Sequence, residues 1–202
     1  MGQIIGIIAF IVMLIAGGFF VFQIKKETST PNLITWLTGL LVGTINAPTF
    51  YKIAGDDLNS SLIMFASLST LVVIFIYSLL KNKFAKPTLW DIAILVVAIV
   101  ILVLWQLATD NRTANFLVQI VIFVSNIATI VGLLRKKLKE YPTSWIWGVS
   151  AYTIAVIGFL FKGKTDWLMY FGPILNGIIC NGVVYIIAWK QNKNKLTNNK
   201  EQ

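Results

Sequence analysis

Long apolar segments, separated by short polar ones, follow one another along the whole chain. A helix needs about 20 mainly apolar residues to cross a bilayer. Seven segments meet that length, at 4–24, 33–53, 60–80, 90–108, 115–135, 144–162 and 168–189. The pattern therefore predicts an all-α membrane protein with seven transmembrane helices. No basic residue precedes the first segment, unlike in a signal peptide, so we expect it to be retained as a span.

The basic residues are concentrated on alternate loops. The loops after spans 1, 3 and 5 and the C-terminal tail hold 13 Lys and Arg residues and the other loops hold 4, which accounts for all 17. Because short loops rich in Lys and Arg stay in the cytoplasm, the N-terminus is predicted outside and the C-terminus inside a multi-pass plasma-membrane protein. Trp90, Trp167 and Trp189 fall at span ends, where we expect them to be interfacial anchors.

Composition agrees with this class and excludes several functions. The chain is 57% hydrophobic with a mean hydropathy of +0.78, and its net charge of +9 lies in the loops, so no nucleic acid is expected as a partner. It has no histidine and one cysteine, Cys180. This excludes histidine-dependent enzymes, histidine-ligated metals and an intrachain disulfide. We expect no enzymatic activity and no cofactor.

A twelve-residue stretch recurs at an offset of 111 positions: residues 25–36 read KKETSTPNLITW and residues 136–147 read KKLKEYPTSWIW. The identical pairs are Lys25/Lys136, Lys26/Lys137, Pro31/Pro142 and Trp36/Trp147. The same shift places spans 1, 2 and 3 on spans 5, 6 and 7 and leaves span 4 unmatched. Because one span intervenes, the two triplets have the same orientation, which predicts a 3+1+3 parallel repeat.

The predicted divisions of the chain follow from this repeat. They are a first three-helix repeat at 1–83, a linker transmembrane helix at 84–112, a second three-helix repeat at 113–190 and a polar cytoplasmic tail at 191–202. The tail is rich in Lys and Asn, so we expect it to be disordered.

The two related stretches and the 3+1+3 layout resemble the SWEET/PQ-loop superfamily, most closely its small bacterial members. Pro31 and Pro142 would be the structural hallmark. The glutamine that follows this proline in the family is Asn32 in one half and Thr143 in the other, and Pro48 is the one mid-helix proline that matches. The resemblance implies a transporter fold, with an asparagine of the last span in a substrate pocket together with its equivalent in span 3.

Polar side chains at mid-membrane depth are the candidate site residues, because they cost free energy unless they face a cavity or a partner helix. The substrate-binding candidates are Asn176, Asn181, Ser69, Thr70, Asn46 and Asn126. Hydroxyls also bond to their own helix and asparagines also join neighbouring helices, so both interpretations remain open. Gly172, Gly177 and Gly182 would allow close backbone approach or a hinge. Under the offset of 111, Asn181 corresponds to Thr70.

The expected function is facilitative transport of a small, polar, uncharged solute by alternating access, and the resemblance implies a sugar-like one. Trp36 and Trp147 are a candidate gate near the cytoplasmic mouth, with packing at the interface as the alternative. No span carries an acid or base near its centre, which argues against ion-coupled pumping. The alternative function is a non-transporting accessory protein, receptor or sensor. The expected partners are the lipid bilayer and a solute, and a homo-oligomer is left open.

Overall fold

In the computed structural model, which describes residues 2–105 and 110–198, helices dominate the chain. They hold 83% of the described residues, and no strand occurs among them. The α-helices are α1 (Gly2–Lys25), α2 (Leu33–Ile53), α3 (Leu58–Leu80), α4 (Leu89–Trp105), α5 (Asn111–Leu134), α6 (Pro142–Phe161), α7 (Trp167–Gly172) and α8 (Asn181–Asn198). A π-helical segment, Pro173–Cys180, joins α7 to α8, so these three form one continuous last span.

Six of these helices are long and apolar enough to cross a membrane, namely α1, α2, α3, α5, α6 and the last span over Trp167–Asn194. This makes the chain a multi-pass membrane protein. The fourth apolar helix, α4, is shorter, and part of the predicted span 90–108 lies outside the described residues. A seventh crossing therefore stays a prediction.

Local side chains determine where the helices begin. The Asn32 side chain caps α2 by accepting the N–H of Thr35 at 3.1 Å, and Asp57 accepts the N–H of Ser60 at the start of α3. Asp110 and Asp166 cap α5 and α7 in the same way. A short polar side chain at this position satisfies an N–H that has no partner within the helix. The loops and helix starts are therefore defined by sequence-local hydrogen bonds.

The spans form a closed ring in the order α1, α3, α2, α5, last span and α6. Each helix of the ring packs on its two neighbours, and α4 lies outside, against α5 and α2. The pairing has a regular form: α1 packs on α6 as α5 packs on α2, and both α1 and α5 pack on the third helix of their own triplet.

The first residues of three pairs of helices are 109 positions apart. The pairs of first residues are Gly2 and Asn111, Leu33 and Pro142, and Leu58 and Trp167. The predicted offset was 111, because it aligned the Lys-Lys and Pro residues of the two loops. Both loops contain seven residues, 26–32 and 135–141. The helices that follow them therefore also start 109 positions apart, two fewer than the predicted offset. Trp36 and Trp145 are each the fourth residue of their helix, whereas Pro31 precedes α2 by two positions and Pro142 is the first residue of α6.

The basic loops lie together at one end of the ring, which we call the basic end. The N–H of Thr30 donates to the carbonyl of Lys139 at 2.7 Å, and the N–H of Ala85 donates to the carbonyl of Pro31 at 3.0 Å. At the opposite end, Lys162 Nζ contacts the Asp57 carboxylate at 2.8 Å. The two ends of the ring thus differ in chemistry.

The C-terminal tail differs from the prediction of disorder over 191–202, because α8 continues through Asn198. Gln191 Nε2 donates to the carbonyl of Leu133 at 2.8 Å, and Asn192 Nδ2 donates to the carbonyl of Glu140 at 2.9 Å. These two side chains satisfy carbonyls at the end of α5 and in the following loop, and so attach the start of the tail to the bundle. Residues 199–202 lie outside the described range.

Candidate functional site

The ring encloses a cavity of about 160 Å³. It extends from the half of the ring away from the basic loops, at Asn46 and Gly172, to the basic end, at Ile74 and Trp145. All six ring spans contribute to its wall, and none of the described α4 side chains does. None of the described residues that line it is charged.

Two amides, Asn46 and Gln119, form the floor of the cavity, and together with Asn115, which does not line it, they join α2 to α5. Asn46 Oδ1 accepts from Asn115 Nδ2 at 3.0 Å and from Gln119 Nε2 at 2.7 Å. Asn115 Nδ2 also lies 3.1 Å from Thr49 Oγ1. Asn46, Asn115 and Gln119 are all buried. Because each amide supplies a partner for another, the network offsets much of the cost of placing them in the membrane.

This network also fixes the orientation of Asn176, in the π-helical segment. Gln119 directs its donor to Asn46, which leaves Gln119 Oε1 as an acceptor. Asn176 Nδ2 fills that acceptor at 3.0 Å and also contacts the backbone carbonyl of Gln119 at 3.1 Å. Asn176 Oδ1 is then left without a partner although Asn176 is only 8% exposed. A buried acceptor of this kind gains free energy from any ligand that brings a donor.

Aromatic rings form the part of the cavity near the basic end. The Phe20 ring lies between two tryptophans, with its centroid 4.8 Å from that of Trp36 and 5.8 Å from that of Trp145. Trp36 and Trp145 occupy equivalent positions in α2 and α6, four residues into each helix. Deeper in the cavity, the Tyr152 hydroxyl pairs with Ser67 Oγ at 3.0 Å. The cavity therefore has an amide floor and an aromatic mouth.

Two glycines of the last span are required by close contacts with cavity residues. A Cβ on Gly172 would lie 2.5 Å from Gln119 Cδ, and a Cβ on Gly177 would lie 2.2 Å from Tyr152 Cγ. Pro173 begins the π-helical segment and supplies no N–H, and such segments often occur at functional sites. Gly182 has open space around it. The expectation of close approach thus applies to Gly172 and Gly177.

The structure brings five of the six predicted binding residues to the cavity wall: Asn46, Thr70, Asn126, Asn176 and Asn181. Thr70 Oγ1 has no partner. Ser69 is not on this wall; it is exposed and donates to the carbonyl of Phe65 at 2.9 Å.

The two candidate gate residues lie in different surroundings. Trp36 lines the cavity, whereas Trp147 lies on the outer face of α6, 36% exposed and stacked on Phe19. The offset of 111 selected Trp147. The residue at the mouth is Trp145, which is the fourth residue of α6, as Trp36 is of α2.

Asn115, Gln119 and Trp145 are the important residues that the sequence analysis did not single out. Asn115 and Gln119 are four positions apart in α5, so they share one helix face, and this spacing was a usable signal. The position of Trp145 at the mouth of the cavity depends on the lengths of the loops before α2 and α6.

The end of the ring opposite the basic loops is closed by charge and by aromatic packing. Asp57 contacts Lys162 at 2.8 Å and Lys164 at 3.4 Å. Burial raises the pKa of Asp57, but hydrogen bonds from Lys162 and Ser60 outweigh it and hold that pKa well below the usual value. Beneath this pair, the centroids of Phe50 and Phe159 are 6.0 Å apart. Solutes in the cavity are therefore shielded from this end.

Glu140, in the loop before α6, is a buried acid beside the mouth of the cavity. Its Oε2 accepts from Trp145 Nε1 at 3.2 Å, and Oε1 has no partner among the described residues. Burial raises the pKa of Glu140 to about 8, against the lowering effect of the hydrogen bond from Trp145. Burial therefore favours the protonated form of this carboxyl group, which is hydrogen-bonded to a cavity side chain.

The site can bind a neutral ligand by hydrogen bonds and ring contacts. Within the described ranges, no group of three or more His, Cys, Asp or Glu side chains could hold a metal ion. No protein-family model, no curated protein and no solved structure matches this chain. The functional argument therefore depends on the geometry of the cavity.

Proposed function

We propose that this protein is a facilitative transporter for a small, polar, uncharged solute. The observation that carries the proposal is the uncharged cavity at mid-membrane depth, in which Asn176 Oδ1 and Thr70 Oγ1 have no partner in the protein. Both groups are buried, so each would gain from a hydrogen bond that a solute supplies. An accessory protein that used only its surface would have no need of such groups.

The architecture that we propose is a 3+1+3 parallel repeat, with α4 as the linker. The 109-position spacing of the helix starts supports it, and so does the matching pattern of helix contacts. Pairs of residues at the same spacing also line the cavity together: Met13/Ile122, Ala16/Ser125, Gly17/Asn126, Thr35/Ser144, Trp36/Trp145, Gly39/Gly148, Gly43/Tyr152 and Ser67/Asn176. These eight pairs support a cavity on the axis that would relate the two triplets.

Alternating access follows from the unequal ends of the cavity. The described state is closed at the Asp57–Lys162 end, and its cavity extends toward the basic end. We propose that rocking of the two triplets breaks the Asp57 contacts and closes the tryptophans Trp36 and Trp145 around Phe20. Binding sites near the midplane, between two repeats, are typical of this mode of transport.

The basic end is proposed to face the cytoplasm of a cell whose plasma membrane holds the protein, with the N-terminus outside. The distribution of Lys and Arg supports this orientation. The described state would then be inward-facing. A solute with hydroxyl groups fits the amide floor and the aromatic mouth, and sugar-like solutes are the class that the family resemblance implies.

The test is uptake of a labelled panel of neutral solutes, sugars and polyols first, into proteoliposomes. Thr70→Val removes an unpartnered hydroxyl at nearly constant volume, and Asn181→Ala removes a cavity amide. Because one hydrogen bond contributes about 0.5–1.5 kcal/mol, each change should raise the KM for the transported solute by about 2–10-fold.

Ser69→Ala is the matched control, since its hydroxyl is next in sequence but bonds its own helix outside the cavity. An unchanged KM in Thr70→Val and Asn181→Ala, or an equal change in Ser69→Ala, would contradict the cavity as the transport site. No saturable flux for any solute, with a partner protein that copurifies in fixed proportion, would favour the accessory or receptor function instead.

A further inference from the structure

A second cleft lies on the outside of the ring, at the basic end, where α4 begins beside the C-terminal end of α5. The cations Lys86, Arg135 and Lys137 line it. All three are exposed, and no ion pair joins any of them to a described residue. This cleft is separate from the transport cavity, because the two share no lining residue.

One carboxylate, Asp91, also lines the cleft, but both of its oxygens are already used. Asp91 Oδ1 accepts from Asn32 Nδ2 at 2.8 Å, and Oδ2 accepts from the N–H of Thr88 at 2.6 Å. Asp91 is 5% exposed. It therefore holds the start of α4 to the start of α2 and leaves three cations facing the open side of the cleft.

The surface beside these cations is apolar. On α4, Leu89 is 84% exposed and Trp90 is 56% exposed, and Ile92 and Val96 continue the same exposed strip along the helix. The guanidinium of Arg135 lies 5.3 Å from the centroid of the Trp90 ring. A tryptophan stacked on an arginine at the end of an apolar helix is typical of the level where headgroups meet acyl chains.

From this arrangement we propose that the cleft binds the phosphate headgroup of an anionic phospholipid, with the acyl chains along α4. Lys86, Arg135 and Lys137 would contact the phosphate, and Leu89, Ile92 and Val96 would contact the chains. The charge of the cleft complements an anionic headgroup, and the apolar strip distinguishes a lipid from a soluble phosphate. Such a lipid would cover the one helix that packs outside the ring.

The test uses native mass spectrometry of the full chain in a mild detergent, titrated with phosphatidylglycerol or phosphatidylcholine. The cleft variant is Arg135→Gln with Lys137→Gln. The control is Lys25→Gln with Lys81→Gln, which removes two exposed lysines from the same end, away from the cleft. Since each Lys or Arg near an anionic headgroup contributes about 1 kcal/mol, the cleft variant should bind phosphatidylglycerol about 30-fold more weakly.

The control should retain the wild-type Kd, and phosphatidylcholine should bind weakly to all three proteins. Equal loss in the cleft and control variants would overturn the proposal, because it would show a diffuse surface charge instead of a site. Displacement of the lipid by glycerophosphate at a similar concentration would overturn the lipid as occupant. Thermal unfolding of both variants checks that they fold.

A second readout does not depend on removing cations. Phosphatidylglycerol with brominated acyl chains should quench tryptophan fluorescence more than brominated phosphatidylcholine does, because the chains would lie against Trp90. Trp90→Phe should remove that difference between the two lipids. Equal quenching by both lipids in the wild type would overturn the proposal.

Discussion

The α2–α5 interface and the α1–α6 interface occupy corresponding places in the ring, but different interactions hold them. Five side-chain hydrogen bonds cross from α2 to α5, around Asn46 and Thr35. Between the described side chains of α1 and α6 there is one, from Ser144 to Gln23 at the basic end. The rest of that interface is apolar: Phe19 and Phe20 contact tryptophans of α6 near the basic end, and farther along the helices the small residues Ala9 and Ala155 are almost fully buried.

This difference indicates how the two triplets can move. Directional hydrogen bonds between buried amides hold α2 against α5 in one geometry, since a shift would leave several polar groups unpaired. Apolar surfaces with small side chains have no such directional requirement and stay in van der Waals contact through small displacements. We therefore expect α2–α5 to act as the fixed contact and α1–α6 to open during transport.

The largest expected effect comes from locking α1 to α6. Ile5 Cβ lies 3.5 Å from the position of a Cβ on Gly158, which suits a disulfide. In a Cys180→Ala background, Ile5→Cys with Gly158→Cys should abolish solute flux when oxidised and restore it on reduction. The measurement is proteoliposome uptake with and without reductant.

Its control is Gly132→Cys with Leu138→Cys, where Leu138 Cβ lies 3.7 Å from the Gly132 Cβ position. Both residues belong to the same triplet, so this disulfide should leave flux unchanged. Full flux in the oxidised Ile5–Gly158 variant would show that the α1–α6 interface does not open.

The next largest effect is expected from placing a polar side chain in the apolar α1–α6 interface. Ala155 is the counterpart of Asn46, so Ala155→Asn places an amide at the same depth of α1–α6, where it finds no network. Overpacking and an unpaired polar group together should lower the free energy of unfolding by about 2–5 kcal/mol. Ala155→Val, which adds volume without polarity, should cost less. Unfolding is followed in mild detergent, and equal losses in both variants would assign the whole effect to size.

Removing an amide from the polar interface should have a moderate effect. Asn46→Ala leaves Gln119 Nε2 without an acceptor, which should lower the free energy of unfolding by about 1–3 kcal/mol. A double-mutant cycle with Asn115→Ala should show coupling between the two. Thr44→Ala, in the same helix, removes only a bond to the carbonyl of Leu41 and should change little. Strict additivity in the cycle would argue against a connected network.

The smallest effect concerns the polar end of α1–α6, where Glu140 bonds Trp145. The folded state keeps the proton of Glu140 up to a pH of about 8, whereas the unfolded chain releases it near the ordinary value of 4.5. The folded state therefore binds more protons across this window, and stability should fall as pH rises through it. Glu140→Gln should remove that dependence.

At pH 8.5 the Glu140→Gln variant should gain about 1 kcal/mol or more relative to the wild type, compared with pH 5. Thermal unfolding at the two pH values measures this. Glu27→Gln is the control, because Glu27 is exposed and its pKa is lowered by a hydrogen bond to Lys83. The same pH response in both variants would show that the burial of Glu140 is not its cause.

Much of the fold could be predicted because it depends on local properties. The predicted segment 33–53 matches α2 at both ends, and 60–80 matches α3 apart from two residues at its start. Apolar length and a short capping side chain are sufficient for such a prediction. The candidate site was predicted in part, through Asn46, Thr70, Asn126, Asn176 and Asn181, because midplane polarity is also local.

The remaining site residues could not be predicted in the same way. Ser69 and Thr70 are adjacent and chemically similar, but they point to different surroundings, since adjacent residues on a helix differ by about 100° in direction. The sequence analysis selected Trp147 instead of Trp145 because its offset of 111 exceeds the 109-position spacing of the helix starts by two. Two positions move a residue to the other side of its helix. Glu140 lies in a basic loop, and only the packing of α8 and Trp145 shows that it is buried.

The sequence by itself thus determined that the chain forms membrane-spanning helices, because the free energy of burying apolar residues adds up along each segment. The sequence also determined which end of the ring is basic, because the number of lysines and arginines in each loop can be read from it directly. The tertiary structure decided which polar groups meet. A hydrogen bond such as that between Asn46 and Gln119 requires atoms 73 positions apart to lie within 3 Å, and only the packing of whole helices brings them there.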